Sequence, residues 1–69
     1  MTPAELLRRL RRLAAKRGLD FETSQGKNHT KIILGGRRSV VGPHPRDLKT
    51  GTLQAILGQL GLKPEETEE

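Results

Sequence analysis

The chain contains no cysteine, tryptophan or tyrosine, and Phe21 is its only aromatic residue. Without cysteine there can be no disulfide and no thiolate zinc centre. Without exposed aromatics, the chain cannot read single-stranded RNA by stacking bases on rings; Phe21, alternating with polar neighbours, reads as core. No apolar run approaches the roughly 18 residues that cross a membrane, and the first residues are amphipathic rather than signal-like. The expectation is a soluble cytoplasmic protein with no membrane contact. Sixty-nine residues make one domain at most, and chains of this size bury only roughly 60% of their unfolded surface. Any site is then a shallow groove, which suits a polymer better than a small metabolite, and no cofactor is expected.

Negative charge is also scarce over most of the chain. Thirteen Lys and Arg stand against eight Asp and Glu, a net charge of +5. Four of those acids, Glu65, Glu66, Glu68 and Glu69, lie in the last five positions. Residues 1–63 therefore hold all thirteen cations against Glu5, Asp20, Glu22 and Asp47, a net charge of +9. Such a surface attracts polyanions, nucleic acid first among them; a solvated basic face without a ligand is the alternative. Residues 1–63 read as a single domain and 64–69 as an acidic, disordered tail.

Thr2-Pro3-Ala4-Glu5 is a helix start: Thr2 caps, Pro3 fits the first helical position and Glu5 completes a capping box. Leu6, Leu7, Leu10, Leu13 and Ala14 recur at helical spacing, and Gly18 is a natural stop, so the pattern predicts a helix over 3–17. Leu19, Phe21 and Thr23 alternate with Asp20 and Glu22 as a half-buried strand. After a polar loop over 24–28, residues 29–34 form a second strand rich in β-branched side chains. Gly35-Gly36 supplies a tight turn, and 37–41 pairs back as a third strand. The prolines of Gly42-Pro43-His44-Pro45 end that strand. Leu53, Ile56, Leu57 and Leu60 form the stripe of a second helix over about 51–60, capped near Thr50 and ended by Gly61. The fold class is α+β in the order α-β-β-β-α: a three-stranded antiparallel sheet with two helices on one face and the other face open. Double-stranded-RNA-binding domains share this order.

His29 is the most informative single residue. In a regular strand, Thr30, Ile32 and Leu34 share the face opposite His29, Lys31 and Ile33. Packing the Thr30 face under the helices leaves His29 and Lys31 outward, with Ile33 an awkward companion. An outward imidazole among cations can act as general acid or base when a ribose 2′-hydroxyl attacks its own phosphate. On residue type alone, an incidental surface histidine remains open. His44, between two prolines, is either a second acid/base group or a turn residue. A metal site from His29, His44 and Asp47 has little support in their irregular spacing. Lys27, Lys31, Arg37 and Arg38 cluster on the hairpin, while Lys49 and the amides of Gly51 and Thr52 mark the second helix's N-terminus, a ready anion site. These groups are candidates to hold an RNA backbone and to stabilise charge on a phosphorane.

Over residues 18–62 the chain resembles HicA-type toxins. The resemblance rests on Gly18-x-x-Phe21, a loop ending in Gly26-x-x-His29, a hydrophobic strand, Gly36-Arg37-Arg38-x-Val40-Val41, His44-Pro45, and Leu48-Lys49-x-Gly51-Thr52-Leu53-x-x-Ile56-Leu57-x-x-Leu60-Gly61-Leu62. In that family the loop usually reads Gly-Ser-His, and its catalytic histidine falls on His29. Here Lys27-Asn28 stands in place of Gly-Ser, and Thr30 in place of a frequent second histidine. The resemblance implies a domain like those that bind double-stranded RNA. It also implies the toxin of a toxin–antitoxin pair, an endoribonuclease that cleaves mRNA without a metal and is held inactive by a HicB-type antitoxin. Two other readings stay open: a non-catalytic double-stranded-RNA-binding module, and a protein whose basic surface meets only an acidic partner.

Overall fold

The computed structural model describes residues 1–42 and 47–67. Helix α1 spans Pro3–Arg17; the Thr2 hydroxyl accepts the Glu5 N–H at 3.2 Å, and Gly18, at φ 68°, closes the far end. Three strands follow, β1 (Phe21–Gln25), β2 (Thr30–Leu34) and β3 (Arg37–Val41), forming an antiparallel sheet in chain order. Helix α2 spans Thr50–Gln59, and a 3-10 turn covers Pro64–Thr67. The α+β architecture is the one the sequence pattern predicts, and it is compatible with a double-stranded-RNA-binding-domain arrangement.

The element ends differ from expectation for local reasons. The Leu19 N–H is taken by the Ala14 carbonyl at 2.8 Å as the helix closes, so the first strand starts at Phe21 and not at Leu19. It then runs through polar Ser24 and Gln25, which pair with Lys31 and Thr30; pairing with a buried central strand outweighs their weak strand preference. His29 stands just outside β2; its carbonyl accepts the Gly26 N–H at 2.7 Å, which closes the turn over Lys27 and Asn28 in the register of the β1–β2 ladder. Helix α2 starts one residue early, with Lys49 as N-cap and no side-chain cap bond, so Thr50 lies inside it.

Register fixes the two faces of the sheet. Ile32 pairs with Thr23 and Ser39, and Leu34 with Phe21 and Arg37, on the face toward the helices. There Ile32, Leu34 and Val41 bury against Leu6, Leu10, Leu13 and Ala14 of α1, Ile56 and Leu57 of α2, and Leu60 beyond it. Buried Ser39 is satisfied by donating its hydroxyl to Gln59 Oε1 at 2.6 Å. On the opposite face lie the rows Ser24–Lys31–Val40 and Glu22–Ile33–Arg38. As expected, the Thr30 face is inward and Lys31 outward; Ile33 is half-buried and Val40 is 49% exposed. At the hairpin between them, Gly35 and Gly36 take φ of 55° and 85°, the left-handed pair that a two-residue turn requires.

Where the sequence reading expects a disordered tail, Pro64–Thr67 is docked on α1. Arg9 donates to the Thr67 carbonyl at 3.1 Å, Arg17 pairs with Glu66 at 3.1 Å, and the Thr67 side chain is buried. Composition marks the segment as acidic, but α1 presents cations at the spacing that receives it.

Two outcomes follow from this packing. Leu10→Ala, at a fully buried site, should cost about 2–5 kcal/mol by urea unfolding. The Lys63 backbone N–H and the Arg17 guanidinium hold the Glu66 carboxyl below its usual pKa. A folded value below the unfolded one means that this contact stabilises above the unfolded pKa, about 4.3, and is lost as pH falls through the lowered folded value. A carboxyl NMR titration should place the Glu66 midpoint below that of a free glutamate, with the Thr67 amide signal moving in step.

Candidate active site

The loop from Gly26 to His29 is short, and its closure depends on Gly26. A Cβ at this position would lie 3.2 Å from the His29 carbonyl oxygen, tighter than an ordinary contact, so a side chain there would shift that carbonyl by a few tenths of an ångström. Closure leaves Lys27, Asn28 and His29 exposed at one end of the sheet.

His29 lines a groove of about 400 Å³ whose other walls include Lys27, Gln25, Thr30 and Gly42 from the strand ends, and Thr2, Pro3, Ala4 and Leu7 from α1. The start of α1 thus sits beside the imidazole, where the helix contributes the positive pole of its dipole. The start of α2 is tied to the same end: Leu48 N–H donates to the Met1 carbonyl at 2.8 Å, and the Met1 amine lies 3.6 Å from Asp47. Lys49, the N-cap of α2, belongs to this end as well. The arrangement can hold an anionic group between the start of α1 and the Lys27 ammonium, with an exposed imidazole alongside to give or take a proton.

The expected basic set does not stay together. Lys27 and His29 line one groove with the first turn of α1, while Lys49 caps α2 outside that lining. Lys31 and Arg38 stand on the open face of the sheet, where a shallow saddle of about 790 Å³ runs across β2 and β3 to Gln59. Arg37 projects to the other face and lies over Gly61, where a Cβ would come within 2.8 Å of its Nε. It sits at the far end of β2 from His29, roughly 17 Å away along the strand. His44 lies outside the described residues. Among the described residues no group of three or more His, Asp or Glu side chains gathers as metal ligands would.

The part missed from sequence is the first turn of α1. In the sequence Thr2, Pro3 and Ala4 read as capping signals only. Nothing in the periodicity says which strand end a helix start will meet; that is set by how α1 packs into the shared core.

Residues 7–62 match the family model described as "HicA toxin of bacterial toxin-antitoxin". A "Probable mRNA interferase toxin HicA" from Escherichia coli (strain K12) is 45% identical over 53 residues, covering 75% of this chain and 88% of that protein. A "Probable mRNA interferase HicA" from Escherichia coli O157:H7 matches to the same extent. A "Probable mRNA interferase HicA 1" from Photorhabdus laumondii is 43% identical over 42 residues, 59% of this chain and 74% of that protein. No solved structure gives a significant match.

If Lys27 and Lys49 hold a polyanion at this groove, Lys27→Gln and Lys49→Gln should each weaken binding of a single-stranded RNA oligomer. Each should also lower the slope of log affinity against log salt by about 0.7. Fluorescence anisotropy across a salt series reads both effects.

Proposed function

The chain belongs to the HicA toxin family, and from that premise we propose that it is the toxin of a toxin–antitoxin pair, an endoribonuclease that cuts mRNA by histidine-dependent, metal-independent transesterification. The observation that carries this reading is the placement of His29: an exposed imidazole in a groove with Lys27 and the N-terminal turn of α1.

In the proposed reaction a ribose 2′-oxygen attacks the adjacent phosphorus while the 2′-proton passes to a base. The bond from phosphorus to the 5′-oxygen breaks, and that oxygen takes a proton from an acid. The products are a 2′,3′-cyclic phosphate and a free 5′-hydroxyl. His29 fills one of the two proton-transfer roles, and His44 is the candidate for the other. Lys27, Lys49 and the helix starts hold the phosphate and offset the charge that builds on its oxygens. A groove open to solvent admits a chain running past it, which fits an RNA strand.

The restraining partner in this reading is a HicB-type antitoxin. A positively charged toxin meeting RNA needs its surface covered when the cell is growing, and an acidic protein does so most directly.

His29→Ala should leave the far-ultraviolet circular dichroism unchanged, because the side chain is exposed and outside the ladder. Its RNA cleavage should fall about 10²–10⁴-fold, the range for one acid–base group, and wild-type cleavage should persist in excess chelator. Undiminished cleavage by the variant would remove His29 from the mechanism. RNA bound but left intact by the wild type would favour a non-catalytic binding module.

A further inference from the structure

The open face of the sheet has no role in the mechanism above. It carries four outward side chains on β2 and β3 in a checkerboard: Lys31 opposite Val40, and Ile33 opposite Arg38. Val40 is 49% exposed and is one of two large hydrophobic residues exposed among those described. With half-buried Ile33 it makes a small aliphatic patch between two cations. Neither helix covers this face, since both spend their apolar stripes on the other side. The saddle across it reaches Gln59 at the rim.

The chemistry of the patch selects among occupants. RNA would use the two cations, but aliphatic side chains give bases no ring on which to stack. A second copy of the chain would bring Lys31 and Arg38 against their own equivalents or against other parts of a surface with net charge +5. An acidic polypeptide that presents carboxylates to Lys31 and Arg38 and aliphatic side chains to Val40 and Ile33 matches both features. We infer that this face is where the antitoxin of the pair docks; the inference rests on the toxin–antitoxin reading above.

Size adds a consequence. Three strands of five residues make a face of roughly 17 by 14 Å, about 240 Å², well under the ~800 Å² each partner contributes to a stable complex. A partner anchored on Val40 therefore extends past the edges of the face. His29 lies two residues before Lys31, about 7 Å along the chain, so the same partner reaches the loop that carries it.

The probe is a HicB-type antitoxin that suppresses growth arrest by the wild-type chain on co-expression. Its binding is measured by calorimetry on the His29→Ala protein, with Val40→Asp or Val40→Thr added. Val40→Asp should weaken binding at least tenfold, and Val40→Thr, which keeps the β-branched shape, several-fold. In the otherwise wild-type chain, Val40→Asp should cut RNA at an unchanged rate and escape suppression in cells. Unchanged antitoxin affinity in both variants would overturn the docking surface alone. Loss of RNA cleavage with antitoxin affinity kept would assign the face to RNA, and a change in sedimentation of the chain by itself would assign it to self-association. If no HicB-type antitoxin suppresses or binds the wild type, the partner reading itself fails and the docking surface with it. Should Val40→Asp unfold by circular dichroism, Val40→Thr decides.

Discussion

Register in the central strand is the constraint on which the rest of the molecule depends. With Ile32 and Leu34 inward, the sheet has one apolar face for two helices, and Lys31 stands on the other side. A slip of one residue would bury Lys31 and expose Ile32, reversing every side chain of the strand. The Gly26 N–H to His29 carbonyl bond, at 2.7 Å, pins that register at one end, and the Gly35-Gly36 turn pins it at the other. The first of these devices also closes the turn over Lys27 and Asn28, at whose exit His29 stands exposed.

Electrostatics at the helix-start end then follow from packing. The first turn of α1 places one positive pole beside the His29 loop, and Lys27 adds a full charge there; the start of α2 is joined to the start of α1 through Leu48 and Met1. None of these groups is deeply buried, so their effect on an approaching phosphate is moderated by water and salt. A shallow site of this kind relies on several modest cations rather than on one strong contact. Of the chain's own anions, Asp47 pairs with the Met1 amine at this end, whereas Glu66 is engaged by Lys63 and Arg17 on the flank of α1.

Much of the fold was legible in the sequence because local and global signals agree. Thr2, Pro3 and Gly18 mark the ends of α1, and Gly35-Gly36 marks the hairpin. The first strand was misplaced by two residues because its position is set by closure of α1 through Leu19 and by pairing with β2, neither of which leaves a mark on Ser24 or Gln25. The docked segment Pro64–Thr67 was hidden by its acidic composition. His29 was legible as a residue, and the family resemblance singled it out, but its groove was not, since one wall comes from the start of α1. The separation of Arg37 from Arg38 could have been read from the pleat alone: neighbours on a strand face opposite ways.

Proton transfer at a ribose 2′-hydroxyl is the step on which the proposed cleavage depends, and removing that hydroxyl tests it. An RNA segment that the protein cuts is incubated beside the same segment carrying a single 2′-deoxy nucleotide immediately 5′ to the cut, with products resolved by mass spectrometry. The first should be cut to a 2′,3′-cyclic phosphate and a 5′-hydroxyl end, and the second should stay intact at that position. Cutting of the deoxy-substituted strand at the same position would contradict that step.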